Sequence, residues 1–194
     1  ETGVAYKWES SPDAKTWTFY IRKGIKFHNG DELTPEDVKF SVERMTGKRS
    51  IAPFKKALGD NIDKIEVVPP DKVVFQLKKG DIFLDWSLSE AFANEGMIMP
   101  KKYIEQVGDD KFAISPVGSG PYRVGELVSG SYLQLVAVDE HWRAGVPKYK
   151  YFYIEVIPEE TTRIAMLKRG AVDLAEVSRA KAPGLKQEGF NLLE

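Results

Sequence analysis

Between Thr16 and Arg22 apolar and polar positions alternate, with Trp17, Phe19 and Ile21 set against Thr16, Thr18, Tyr20 and Arg22. A period of two predicts a β-strand with one face in a core and the other in water. Lys23-Gly24 breaks the run, Ile25 and Phe27 make a second short alternation, and His28-Asn29-Gly30-Asp31 closes it as a turn. The period then becomes helical. Thr34 is a good N-cap, Pro35 suits the first helical position, where a missing N–H is no loss, and Glu36 and Asp37 complement the positive helix start. Val38, Ser41, Val42 and Met45 follow as the buried stripe.

Further along, Lys64 to Val68 and Val73 to Leu77 flank Pro69-Pro70-Asp71-Lys72, which predicts a hairpin. Ile82 to Ala93 is expected to be helical, with Phe83, Trp86, Leu88 and Phe92 as its apolar positions. Asn94-Glu95-Gly96 interrupts it, and a further helix is expected from Lys101 to Val107, after Pro100. Strands alternating with helices through short connections indicate a mixed α/β protein, and no internal repeat or low-complexity segment competes with that reading.

The composition narrows the function classes. With 194 residues, 42% hydrophobic and 29% charged, the chain can bury one large core or two small ones. A net charge of -1 gives no electrostatic basis for binding nucleic acid or an anionic membrane. No cysteine is present, which excludes disulfides, thiolate catalysis and Cys-type metal sites within the chain. No apolar run reaches transmembrane length, and Glu1-Thr2-Gly3-Val4 has neither the basic nor the apolar region of an export signal. Any such signal or anchor is expected to lie outside this sequence.

Catalytic chemistry finds little to stand on. His28 and His141 are the two histidines, one in a turn and one beside Trp142, and both read as structural or solvated. Asp109-Asp110 and Glu159-Glu160 are adjacent carboxylates, and adjacency on a loop or helix start does not aim two groups at one bond. Gly118-Ser119-Gly120 lacks the spacing of a dinucleotide or phosphate loop and is not a nucleophile elbow, so it reads as a tight turn before Tyr122. Lys148, Lys150 and Lys168-Arg169 read as a solvated face. No catalytic residue, metal ligand or cofactor is assigned, and a small hydrolase is the least supported class.

Taken as a whole, Trp8 to Val42 resembles the signature of family 5 of the extracellular solute-binding proteins of ABC importers, the family of oligopeptide, dipeptide and nickel binders. The resembling order is Trp8-x-x-Ser11-x-Asp13, the Thr16 to Phe27 strands, then Gly30 and Leu33-Thr34 leading to Asp37-Val38-x-Phe40-Ser41. Ser115-Pro116-Val117-Gly118-Ser119-Gly120-Pro121-Tyr122 is similar to a second family segment. Asp139-Glu140-His141-Trp142 stands where the family has an Asn-x-x-Tyr-Trp pattern, from which Asp139 and His141 depart. Tyr151 to Pro158 resembles the next strand. Glu160 to Ala175 resembles the helix, glycine stop and Val-Asp-Leu-Ala strand that follow, with Ile164, Met166 and Leu167 expected to bury the helix and Gly170 expected as its C′ residue.

The resemblance implies a partial lobe of the periplasmic binding protein type II kind. Residues 1–115 would be most of the small outer domain and residues 116–194 a returning segment of domain I, with the second ligand-binding lobe absent from this chain. It implies a non-enzymatic substrate-binding component that captures a peptide or similar small solute in the periplasm or at the cell surface. The implied partner is an ABC permease, with no nucleic acid, cofactor or membrane span. By family position, the cleft-facing candidates are Asn94, Glu95 and Met97, together with Glu176 and Val177 after the Val-Asp-Leu-Ala strand. The alternative is a truncated structural or interaction module without a ligand of its own. Sheet edges left open by truncation would favour self-association.

Overall fold

The computed structural model describes residues 3–89 and 96–193. They form two compact units, Glu1–Gly125 with Leu135–Tyr151, and Glu126–Gln134 with Phe152–Glu194.

The first unit is built on an antiparallel sheet of order β1-β2-β4-β3, with β1 Ala5–Ser10, β2 Thr16–Ile21, β3 Ile62–Val68 and β4 Lys72–Leu77. The alternation in β2 is realised as expected: Trp17, Phe19 and Ile21 are buried, and Val73, Phe75 and Leu77 of β4 join them on the same face. Phe19 and Phe75 meet edge to face at 5.4 Å between ring centroids, a favoured aromatic geometry. Ile25, Phe27 and Leu33 close the core from the connection after β2, and α1 (Pro35–Thr46) covers it with Val38 and Val42. The expected hairpin is β3 and β4, paired antiparallel from Val68–Lys72 to Ile62–Leu77.

Two helices depart from expectation. Within the predicted helix from Ile82, α3 spans only Leu84–Ser87 among the described residues. Asp81 Oδ1 accepts the Phe83 N–H at 2.9 Å and Ser89 Oγ–H donates to the Trp86 carbonyl at 2.7 Å, side-chain bonds that compete with helical ones at both ends. The Leu88 carbonyl then lies so near Gly96 that a Cβ there would fall 1.7 Å from it. The helix predicted to end at Val107 instead resumes after a break: α4 covers Lys101–Ile114, with Gly108 at φ 80° and ψ 168° inside it. That left-handed φ is open to glycine without steric penalty. A further helix, α2 (Lys55–Asn61), buries Leu58 against the core.

The second sheet, of order β5-β6-β7, comprises Tyr122–Val128, Tyr132–Ala137 and Tyr151–Glu155. All five residues of β7 are exposed. In the second unit α5 (Glu160–Lys168) ends as expected at Gly170, whose φ is 69°. Gly170 N–H reaches the Leu167 carbonyl and Ala171 N–H the Met166 carbonyl, the paired bonds of a Schellman stop. Ile164, Met166 and Leu167 are half-buried rather than buried, since a small unit covers a smaller share of its surface. The last helix, α6 (Ala182–Gln187), buries Leu185.

Candidate functional site

Three constellations of polar side chains hold irregular backbone in place. Each sits beside a segment singled out in the sequence.

The first joins α1 to the start of α4. The Asp37 carboxylate, 7% exposed, receives the Thr34 N–H at 2.8 Å and the Thr34 hydroxyl at 2.7 Å through Oδ2. Its Oδ1 receives the Lys101 N–H at 2.9 Å. One carboxylate therefore satisfies orphan donors at two helix starts, where negative charge is also favoured. One turn on, the fully buried Ser41 donates to the Asp37 carbonyl at 2.6 Å and accepts the Met99 N–H at 2.7 Å. Pro100 is fully buried and Ile98 packs on the core. The backbone of 98–101 is thus pinned to α1, although 98–100 have no regular structure. Met97, next to it, is 56% exposed. Asn94 and Glu95 lie outside the described residues.

The second belongs to the second unit, where α5 grips both flanking segments. Arg163 Nη1 donates to the Ile157 and Pro158 carbonyls, both at 2.7 Å, and Nε donates to the Glu176 carbonyl at 3.0 Å. The fork of a guanidinium suits such a task, and a single ammonium lacks that geometry. Glu160 Oε1 accepts the Ser178 N–H at 2.5 Å. Hydrogen bonds from the Ser178 backbone and then its side chain hold the Glu160 carboxyl below its usual range. The segment 176–178 is fixed by its main chain, leaving the Glu176 side chain exposed and Val177 half-buried.

The third surrounds Gly118-Ser119-Gly120. His28 N–H donates to the Gly118 carbonyl at 2.8 Å, His28 Nδ1 accepts the Gly118 N–H at 3.3 Å, and its Nε2 faces the Gly120 carbonyl at 2.9 Å. The Ser119 carbonyl takes the Trp142 indole N–H at 3.0 Å and faces His141 Nε2 at 3.1 Å. Both histidines therefore serve the backbone of this loop. They line, with Trp142, Phe27, Lys26, Arg123, Asp139 and Glu140, a cavity of about 470 Å³. Among the described residues, no group of three His, Asp or Glu side chains is placed to hold a metal ion.

Asp37 reads from the sequence as a helix-start charge and Ser41 as part of a buried stripe, while Arg163 carries no local signal. The available signal was the Thr34 to Asp37 spacing, that of a capping box with an acid at its third position. Nothing local announces that Asp37 also reaches Lys101, or that Arg163 reaches Glu176.

Comparison with known proteins agrees with this architecture. The profile of the bacterial extracellular solute-binding proteins, family 5 middle region, matches residues 1–191. A dipeptide-binding protein of Escherichia coli K12 is 26% identical over 99% of this chain and 39% of its own length. Heme-binding protein A of Haemophilus influenzae is 28% identical over 99% of this chain and 40% of its own. Among solved structures, the binding protein MoaA from A. tumefacien R10, in complex with mannopinic acid, superposes with a TM-score of 0.80 at 31% identity, covering 89% of this chain and 34% of that one. The chain thus spans about two fifths of the length of the curated relatives it matches.

Proposed function

Because this chain belongs to the family 5 bacterial extracellular solute-binding proteins, we propose that it is part of the substrate-binding component of an ABC importer, capturing a peptide or similar small solute for a membrane permease. The family is one of binding proteins rather than enzymes. A fold of the type II binding-protein kind supports the reading, and no helix among the described residues is long and apolar enough to cross a membrane. The observation that carries it is the family match across residues 1–191.

The domain assignment follows from the same reading, with 1–115 as most of the outer domain and 116–194 as a returning segment of domain I. Met97, Glu176 and Val177 are the described candidates for the ligand-facing surface, and Asn94 and Glu95 complete the set. Support comes from the pinning of 98–101 by Asp37 and Ser41 and of 176–178 by Arg163 and Glu160. A binding site gains affinity when its backbone is ordered before the ligand arrives. Secretion to the periplasm or cell surface is part of the proposal, as is self-association of the isolated 194-residue polypeptide through the exposed β7 face.

Cargo is the open variable, since the relatives are named for a dipeptide and for heme, and the solved structure for mannopinic acid. Native mass spectrometry of the full-length protein, titrated with a dipeptide and tripeptide mixture, tests the peptide assignment. Saturable binding that weakens at least several-fold in Met97→Ala and Glu176→Ala is expected. Tight binding of a non-peptide solute alone would refute the peptide reading, and binding unchanged in both variants would refute the site.

A further inference from the structure

The loop 118–120, between α4 and β5, is held from two sides, and one of its bonds, the Gly118 N–H to His28 Nδ1, exists only while that imidazole is neutral. An imidazole that accepts at Nδ1 while donating from Nε2 must be neutral. His28 is in this position, with Nδ1 on the Gly118 N–H and Nε2 on the Gly120 carbonyl. On the other side of the loop His141 Nε2 lies on the Ser119 carbonyl, and its Nδ1 faces the Arg143 N–H at 3.2 Å. A second proton on His28 would turn Nδ1 into a donor aimed at the Gly118 N–H. The bond would be lost and two like dipoles would oppose each other.

The surrounding charges decide how readily that proton arrives. Lys26 comes from the segment 24–30, Arg123 from the start of β5, and Asp139, Glu140 and His141 from the connection after β6; all line the same cavity. The Arg22 guanidinium lies over the Trp142 ring at 5.9 Å. Burial pushes the His28 imidazole below its ordinary value, its bond to the Gly120 carbonyl works the other way, and Arg123 and His141 add to the downward push. Asp139 and Glu140 would favour a proton, but both are exposed, where water and salt screen them.

We propose that residues 118–120 form an acid-released latch, closed on neutral His28 and opened when His28 takes up a proton. The open loop returns His28 to an ordinary imidazole near pH 6.5, above its value in the closed loop. The open form therefore binds the proton first. This contribution of His28 to the hold is complete above about pH 6.5 and is lost as pH falls through the lowered value of His28. The opening equilibrium then rises by up to about tenfold for each pH unit within that window.

Hydrogen–deuterium exchange of the 116–122 segment, corrected for intrinsic rates and followed from pH 7.5 to 5, reads this directly. Expected is a protection that falls on acidification while the β2 and β4 segments keep theirs. His28→Gln retains a donor and an acceptor but cannot titrate, and is expected to abolish the step. Should that variant fold poorly, NMR titration of His28 in the unmodified protein gives the same answer through a midpoint below 6.5. Corrected exchange that ignores pH, an identical step in His28→Gln, or a His28 midpoint at or above 6.5 would each overturn the latch.

Discussion

The first unit is organised around apolar side chains and the second around polar clamps. In the first, Ile25, Val73, Phe75 and Leu84 are at most 1% exposed, and the sheet, α1 and α2 converge on them. Among the described residues of the second, Leu185 is the one buried hydrophobic. Its order comes from Arg163 on three carbonyls, Glu160 on the Ser178 amide, the Lys168–Glu188 ion pair and the Gly170 stop. A core gains free energy roughly in proportion to the area removed from water, whereas each exposed polar contact nets only a small gain. Local stability should therefore differ between the two, with openings in the second unit starting from a lower free energy.

The sharpest way to break this comparison is to remove the centre of the first core. Phe75→Ala leaves a cavity beneath Phe19 and Val73 and is expected to cost about 3–5 kcal/mol, enough to unfold a marginal domain. Chemical denaturation followed by tryptophan fluorescence measures it. A loss below about 1 kcal/mol, the range of ordinary surface changes, would mean that this core is not what holds the first unit.

Next in size is the polar anchor inside that apolar unit. Asp37→Ala strands the Thr34 and Lys101 amides, and a lost bond to a charged, buried partner is worth roughly 1.5–3 kcal/mol. Beyond stability, the variant should loosen 98–101 selectively, visible as faster amide exchange at Met99 and Lys101 than in the sheet. Uniform loosening of the whole unit would show that Asp37 acts only as a helix cap.

These two substitutions also mark how far the sequence could be read. Phe75 sits in an alternating strand, so its burial follows from a period of two, and Thr34, Pro35 and Gly170 declare their helix ends through propensities that act over a few residues. Asp37 declares half of its role in the same way. Its other half, and that of Ser41, depends on amides 64 and 58 residues away, and the His28 bonds to the loop at Gly118 and Gly120 span 90 and 92. No local rule carries contacts of that reach, since they exist only once the sheet and helices have been assembled. The short α3 has a different cause: the apolar period favours a long helix there, while Asp81 and Ser89 make competing side-chain bonds only two and three residues in reach, which an apolar period does not register.

The smallest effect on stability, and the most informative about the second unit, is expected from β7. Ile154 is 45% exposed and Val156, just past the strand, 55%, and residues two apart share a face of a strand, so apolar area is open on that face. Ile154→Lys should change folding stability by no more than about 0.5 kcal/mol, as exposed substitutions do. Its effect should be on association, because a charge placed on an open apolar strand discourages pairing between copies. Multi-angle light scattering of the isolated polypeptide is expected to show a mass that rises with concentration and that Ile154→Lys returns to that of a single chain. A monomer at every concentration before the substitution would sink the association and narrow the contrast, since clamps without a core would then suffice to keep the second unit to itself.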